Sequence, residues 1–394
     1  MTADITARIG SSAADIGMAA WNACANPTRE AEPYPFARYE FFAACEESGS
    51  ATAPTGWRPT HLTIERDGAV IGLMPMYLKN HSQGEYVFDH SWADALERAG
   101  GDYYPKLQAS VPFTPATGPR LYVAADADMD ATREALLATG ATAVKQLGAS
   151  SLHITFMTED EWSAAGAVGY LRRNDQQFHW ENRDYKSFDD FLAELSSSKR
   201  KNIRKERAAV REAGVEFDWL TGSDLTEKHW DTFFRFYMDT GGRKWGRPYL
   251  TRDFFSRISA TMGDQTLLIL ARRNGRHIAG ALNFFGGGVL YGRNWGCTEY
   301  INFLHFETCY YQAIDWAIQR GYRKVEAGAQ GAHKLLRGYM PTPTYSAHYI
   351  AHDGLRRAVD QFLVREREAV AEHIEELADR GPFRKTEDRE EDDI

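Results

Sequence analysis

Four cysteines in 394 residues, Cys24, Cys45, Cys297 and Cys309, are too scattered to organise a fold. No two make a CxxC and none stands at a Cys/His ligand spacing, which excludes a zinc site and a disulfide scaffold. Cys309 lies on an aromatic-rich helical stretch and reads as a small buried hydrophobe. Long apolar runs are also missing. No segment offers about 18 uncharged apolar residues, and the beginning, MTADITARIGSSAADIGMAAW, lacks a basic stretch ahead of an apolar one. The expectation is a cytoplasmic chain with no integral membrane segment. Basic excess is lacking too: the net charge is −9, which argues against generic coating of nucleic acid. The acids gather in the final EDREEDDI, read as a solvated tail. No GxSxG and no Cys/His pair point to a covalent nucleophile.

What is present is an ordinary globular composition, 43% hydrophobic and 26% charged, in a chain long enough for two packing units. After an expected N-terminal helix, Leu62 to Arg66 alternates, turns at Asp67-Gly68 and resumes from Ala69 to Tyr77. The pattern recurs with Thr266 to Arg272, a turn at Asn274-Gly275, and Ile278 to Phe285. Both are hairpin signatures. A third strand is expected at Glu85 to Trp92 in the first copy and at Val289 to Trp295 in the second, so the chain reads as an internal duplication.

Apolar residues Phe303, Phe306, Tyr310, Ile314 and Ala317 recur at helical spacing, with Gly321 at the helix end and a strand at Lys324 to Ala327. Strand, helix, strand is a parallel crossover, so an antiparallel meander meets a parallel pair. The fold class is α/β with mixed (α+β) sheets. Ser187-Phe188-Asp189-Asp190 opens a helix as a capping box and sets the boundary: residues 1–185 form the first domain, 186–352 the second, and 353–394 a C-terminal helix and acidic tail.

Three constellations carry chemistry. In SSSKRKNIRKERAAVR, Lys199, Arg200 and Lys201 occupy a first helical turn, where the dipole disfavours cations. Arg200, Arg204, Arg207 and Arg211 share one stripe beside an apolar one of Leu192, Ile203 and Val210, with Glu206 as the one acid inside the run. An external anion would relieve this clustering, and so would acidic side chains from elsewhere in the chain. In EAGAQGAHKLLRGY, Glu326 ends a strand and glycines open the loop before His333, Lys334, Arg337 and Tyr339. A carboxylate, an imidazole and two cations there could deprotonate an amine and hold an anionic acyl donor. Alternatively, Glu326 forms a buried ion pair with Lys334 or Arg337. The third set is Arg293, Asn294, His305 and Glu307, where Asn294 could donate to a carbonyl and the loop after it leads to a helix N-terminus. A packing role for His305 is the competing reading.

Together, FHWENRDY, SFDDFLAELSSSKRKNIRKER, INFLHFETCYYQAIDWAIQRGY, EAGAQGAHKLLRGY and TYSAHYI resemble the FemAB-like family of N-acyltransferases, described as peptidoglycan biosynthesis or recognition proteins, within the GNAT superfamily. The resemblance spans residues 34 to 352. It implies two tandem GNAT-like domains with a groove between them, and transfer of an acyl or aminoacyl group from acyl-CoA or aminoacyl-tRNA to a small-molecule or peptide amine by direct attack. The donor is a co-substrate, and no tightly bound cofactor or metal is implied. One feature departs from a GNAT domain: GCTEYINFLHFE stands where a Q/R-x-x-G-x-G/A loop would cradle the coenzyme A pyrophosphate. The basic helix therefore favours a polyanionic donor such as tRNA. The expected roles are Glu326 or His333 as base and Asn294 at the oxyanion. Lys199, Arg200, Arg204, Arg207, Lys334 and Arg337 are expected to hold the donor, and His305, Glu307 and Tyr339 to line the substrate groove. The alternative is a non-catalytic module recognising a cell-wall precursor or peptide.

Overall fold

The computed structural model describes residues 4–244, 248–328 and 331–384; the acidic end lies outside them. The chain forms two compact units, and neither is one continuous stretch. The first comprises Met1–Asp175, Tyr249–Ile258 and Pro343–Ala371, the second Gln176–Pro248, Ser259–Thr342 and Glu372–Ile394. The single cuts expected at 185 and 352 thus become several. The strands Leu171–Glu181 and Met340–Ile350 each contain a boundary, and no turn or linker marks those places in the sequence.

The first unit opens on a strand, Ile5–Gly10, where a helix was expected. It pairs antiparallel with His61–Arg66, which satisfies its backbone groups, and two short helices follow from Ala13. The first hairpin forms as expected: His61–Arg66 turns through Asp67 (φ 50°) and Gly68 (φ 80°) into Ala69–Met74, the positive pair of a type I′ turn. Pro75 then separates Ala69–Met74 from Met76–Lys79. Proline carries no N–H for the ladder, so the strand is interrupted there.

Residues 85–92 do not form the third strand. Trp92 instead lies on the helix His90–Arg98, whose buried Trp92, Ala93 and Leu96 share one helical face. The place is taken by Lys106–Ala109, which pairs antiparallel with Met76–Lys79 and parallel with Ser151–Met157. The helix Met129–Gln146 makes the crossover, and its buried Leu136, Leu137 and Val144 pack on the sheet. Lys79 and Lys106 face each other across this ladder, fully buried. Glu85 neutralises both (3.3 and 2.6 Å), with Asp89 in contact with Lys106. No periodicity in the sequence announces that cluster.

The second unit repeats the order. Val215–Leu220, Thr266–Arg273, Arg276–Gly286 and Val289–Cys297 pair antiparallel in sequence, and the hairpin turns through Asn274 (φ 51°) and Gly275 (φ 73°). A helical crossover leads to Lys324–Glu326, parallel to Val289–Tyr291, and residues 179–181 complete the sheet. The crossover runs as one turn at Leu304–Phe306, a π-helical segment Glu307–Tyr311, and Gln312–Arg320, ending on Gly321 at φ 70°. Tyr310, Tyr311, Ile314, Ala317 and Ile318 supply the core beneath the sheet.

The basic segment is the helix Ser197–Glu212, with Ile203 and Val210 buried. Leu192 belongs to a separate helix, Phe188–Ala193, capped by Ser187. The apolar stripe on the basic helix is therefore two residues wide.

Candidate functional site

Within the second unit the parallel pair comes apart after three residues. Val289, Leu290 and Tyr291 face Lys324, Val325 and Glu326, and the strand then continues to Cys297 on its other partner alone. On that side the register shifts. Leu282 faces Asn294 and Asn283 faces Gly292, which leaves Arg293 as an extra, bulged residue. Where the strands diverge lies a cavity of about 120 Å³, lined among others by Asn283, Asn294, His305, Cys309, Tyr310 and Ala327. A wider cleft of about 460 Å³ shares Trp295 and His305 with it and extends along Tyr300 and Phe306.

The helix that closes the cavity aims His305 and Cys309 at it, four residues apart, and brings Tyr310 beside them. Tyr310 is buried, which pushes its hydroxyl well above the usual phenol range. Its oxygen stands 3.0 Å from Nε2 of the exposed His333. The His333 ring packs 5.4 Å from Phe306 and 6.2 Å from His305. Asn294, His305, Tyr310 and His333 therefore form one contiguous group.

Other expected residues stand elsewhere. Glu326 is 6% exposed and lines none of these cavities; its carboxylate lies 3.9 Å from His179, which burial holds down to about 3 and so neutral. Lys334 is 3% exposed. Its ammonium donates to the carbonyls of Ala327 (2.6 Å) and Gly328 (2.8 Å), fixing the loop that leaves the strand. Burial lowers it to about 8. Arg337, also buried, stacks 3.5 Å from the Phe306 ring centre and donates to Glu206 at 2.8 Å and to the His333 carbonyl at 2.8 Å. It props the His333 turn. Tyr339 is fully buried and donates to the Tyr310 carbonyl at 3.3 Å. The alternative reading of Glu326, a buried ion pair with Lys334 or Arg337, agrees with its burial, while the ammonium of Lys334 and the guanidinium of Arg337 make the contacts given above.

The basic helix divides in two. Arg207 donates to Glu307 and to Asp315, each at 3.2 Å, over the Phe188 ring, so acidic groups of the chain itself compensate it. Glu307 is buried, which raises its carboxyl, while Arg207 opposes the shift. Arg204, Arg207 and Glu307 line a separate cleft of about 570 Å³. Arg204 reaches Asp189 at 3.4 Å with both side chains largely in solvent. Lys199 and Arg200 make no ion pair among the described residues.

Sequence reasoning missed Asn283, Tyr310 and Cys309 as cavity residues. The four-residue spacing of His305 and Cys309 was a usable signal. The bulge that turns Asn283 and Asn294 to the cavity depends on strand register, which the sequence does not display.

A mixed sheet in which a helical crossover joins a parallel pair of strands is met twice in one chain, the arrangement expected of two GNAT-like domains. The chain belongs to the FemAB-like family, described as peptidoglycan biosynthesis/recognition, whose model matches residues 12–385. Among solved structures it is similar to FemX, with a TM-score of 0.54 at 13% identity over 86% of this chain and 98% of that one. It is also similar to L-PGS from Bacillus licheniformis, with a TM-score of 0.51 at 13% identity over 85% and 97%. A tandem GNAT protein from the clavulanic acid biosynthesis pathway gives 0.49 at 11% identity over 89% and 99%. No curated protein matches by sequence. No helix among the described residues is long and apolar enough to cross a membrane.

Proposed function

We propose that the chain transfers an acyl or aminoacyl group from an activated donor to an amine, in the cavity between the diverging strands of the second unit. The observation that carries this reading is the loss of the parallel ladder after Tyr291. It leaves room for a substrate beside exposed backbone and polar side chains in a partly water-excluded site, where oriented dipoles act strongly. Family membership supports the reaction class.

In this reading the amine nitrogen attacks the donor carbonyl carbon directly. The negative charge that develops on the carbonyl oxygen is met by the Asn294 amide. The attacking nitrogen gives its proton to the Tyr310 oxygen as the hydroxyl proton passes to His333 Nε2, and the exposed imidazole releases it to solvent. The bond from carbonyl carbon to the leaving ester oxygen or thioester sulfur then breaks, and that atom takes up a proton. Lys334 and Arg337 hold the loop and the His333 turn in place. Glu326 acts through the packing beneath the loop. His305 shapes the wall shared by cavity and cleft.

Lys199, Arg200 and Arg204 remain available to an anionic donor, and the departure from a pyrophosphate-cradling loop favours aminoacyl-tRNA over acyl-CoA. The test is a panel of aminoacyl-tRNAs and acyl-CoAs against amines, amino sugars and peptides, reading amine-dependent release of deacylated tRNA or free coenzyme A. Release that requires both partners is the expected result. Tight binding of cell-wall precursors with no turnover for any pair would replace this reading with that of a recognition module.

A further inference from the structure

Asn283 occupies a place in the sheet that packing alone would give to a hydrophobe. It lies on Arg276–Gly286 between Ala281 and Phe285, two residues from each, so the three side chains share one face. Ala281 and Phe285 belong to the apolar core with Leu267 and Ile269. Asn283 is 1% exposed. Burying an amide there is costly unless its polar atoms are satisfied.

Only half of that amide is satisfied. Nδ2 donates to the carbonyls of Leu267 (3.3 Å) and Ala281 (3.2 Å). Those two acceptors fix the orientation, because a flipped amide would set its oxygen against two carbonyl oxygens. Oδ1 is thereby turned toward the gap at Gly292, where an added Cβ would sit 3.5 Å from it. Among the described residues no group donates to Oδ1, although Asn283 lines the 120 Å³ cavity. The register shift occurs at this residue, between Leu282 and Asn283. A buried acceptor, oriented by two bonds and facing an open cavity, calls for a donor from outside the chain.

We infer that Asn283 is a substrate-recognition residue whose Oδ1 accepts a hydrogen bond from an N–H group of the bound substrate. The N–H comes from the acceptor amine or from an amide of the donor. The residue positions; it takes no proton. This inference rests on the proposed transfer site only for the identity of that substrate, since the interaction itself can be read without turnover.

The experiment uses small probes on the full chain. Binding of N-methylacetamide, methylammonium and methyl acetate, the last similar in shape to the amide but without N–H, is followed by ligand-observed NMR and by crystal soaks. The expected result is that an N–H probe occupies the cavity with nitrogen against Asn283 Oδ1 and binds about fivefold to tenfold more tightly than methyl acetate, the worth of one neutral hydrogen bond. Preference for the amide assigns the contact to the donor; preference for methylammonium assigns it to the acceptor amine. Asn283→Leu should erase the discrimination while leaving the melting temperature equal or higher, because an apolar residue suits that core face; a structural amide would instead lose stability. Equal binding of methyl acetate, or no probe at the cavity, overturns the inference even if the chain proves to be a transferase. If Asn283→Leu does not fold, the comparison of probes on the unaltered chain still decides.

Discussion

The Tyr310 hydroxyl and Nε2 of His333 stand 3.0 Å apart, which joins a residue lining the cavity to one exposed at the surface. If protons leave through this pair, Tyr310→Phe and His333→Ala should each lower turnover by about 10- to 100-fold, and the double variant should lose little more than either single one. Steady-state rates for the four proteins across pH check this. Independent, multiplying losses would separate the two residues.

Arg207 is bound to Glu307 and Asp315 inside the chain. Arg207→Gln should therefore destabilise the fold by about 1–3 kcal/mol, because it leaves the buried Glu307 without its cation. Arg204, largely exposed beside Asp189, should change stability by less than about 0.5 kcal/mol when made Gln. Arg200→Gln should behave likewise, while both weaken a polyanionic donor and flatten its salt dependence. Urea unfolding and donor titrations at several salt concentrations read the two effects separately. Equal destabilisation by all three would contradict the division of the helix.

Lys334 carries a pH signature. Burial lowers it from 10.5 to about 8, so between those values the folded chain binds fewer protons than the unfolded one and stability rises with pH. Below about 8 the cost of the buried cation is fully present. The unfolding free energy of the wild type relative to Lys334→Met should become more favourable by an amount on the order of 1–3 kcal/mol across that window. Urea melts at spaced pH values measure it, and a difference flat in pH would mean that the ammonium is hydrated.

Gly275 sits at φ 73° with open space around its Cα. Gly275→Val should cost about 1–2 kcal/mol from backbone strain alone, and Gly68→Val, at φ 80° and equally open, should cost about the same. Denaturant unfolding compares them. A loss at one turn only would break their equivalence.

These turns also mark how far the sequence could be read. Asp67-Gly68 and Asn274-Gly275 announced both hairpins because positive φ restricts residue choice locally. The spacing of Phe306, Tyr310, Ile314 and Ala317 announced the crossover helix for the same local reason. Glu85 to Trp92 misled because an aromatic residue at the end of a short run suits a strand or a helix, and only burial of Trp92, Ala93 and Leu96 on one face decides. The proposed site was legible only in part. Asn294 and His305 lie at the cavity, whereas Glu326, Lys334 and Arg337 are clustered in sequence but turned into packing. Proximity along the chain does not fix which way a side chain points after a strand ends. Asn283 was invisible for a related reason, since its role follows from register and from a partner atom left open.

The central claim is that transfer takes place between the diverging strands, and Cys309 tests it most directly, because its side chain lines the cavity and has no part in the proton path. In Cys309→Leu the larger side chain fills space that a substrate would need, so amine-dependent release of deacylated tRNA or free coenzyme A should fall by at least about 100-fold, the scale expected when reacting groups are displaced by an ångström or more. The melting temperature should stay close to that of the wild type. Release at an unchanged rate from a folded Cys309→Leu protein would contradict the account and move the chemistry to another part of the chain.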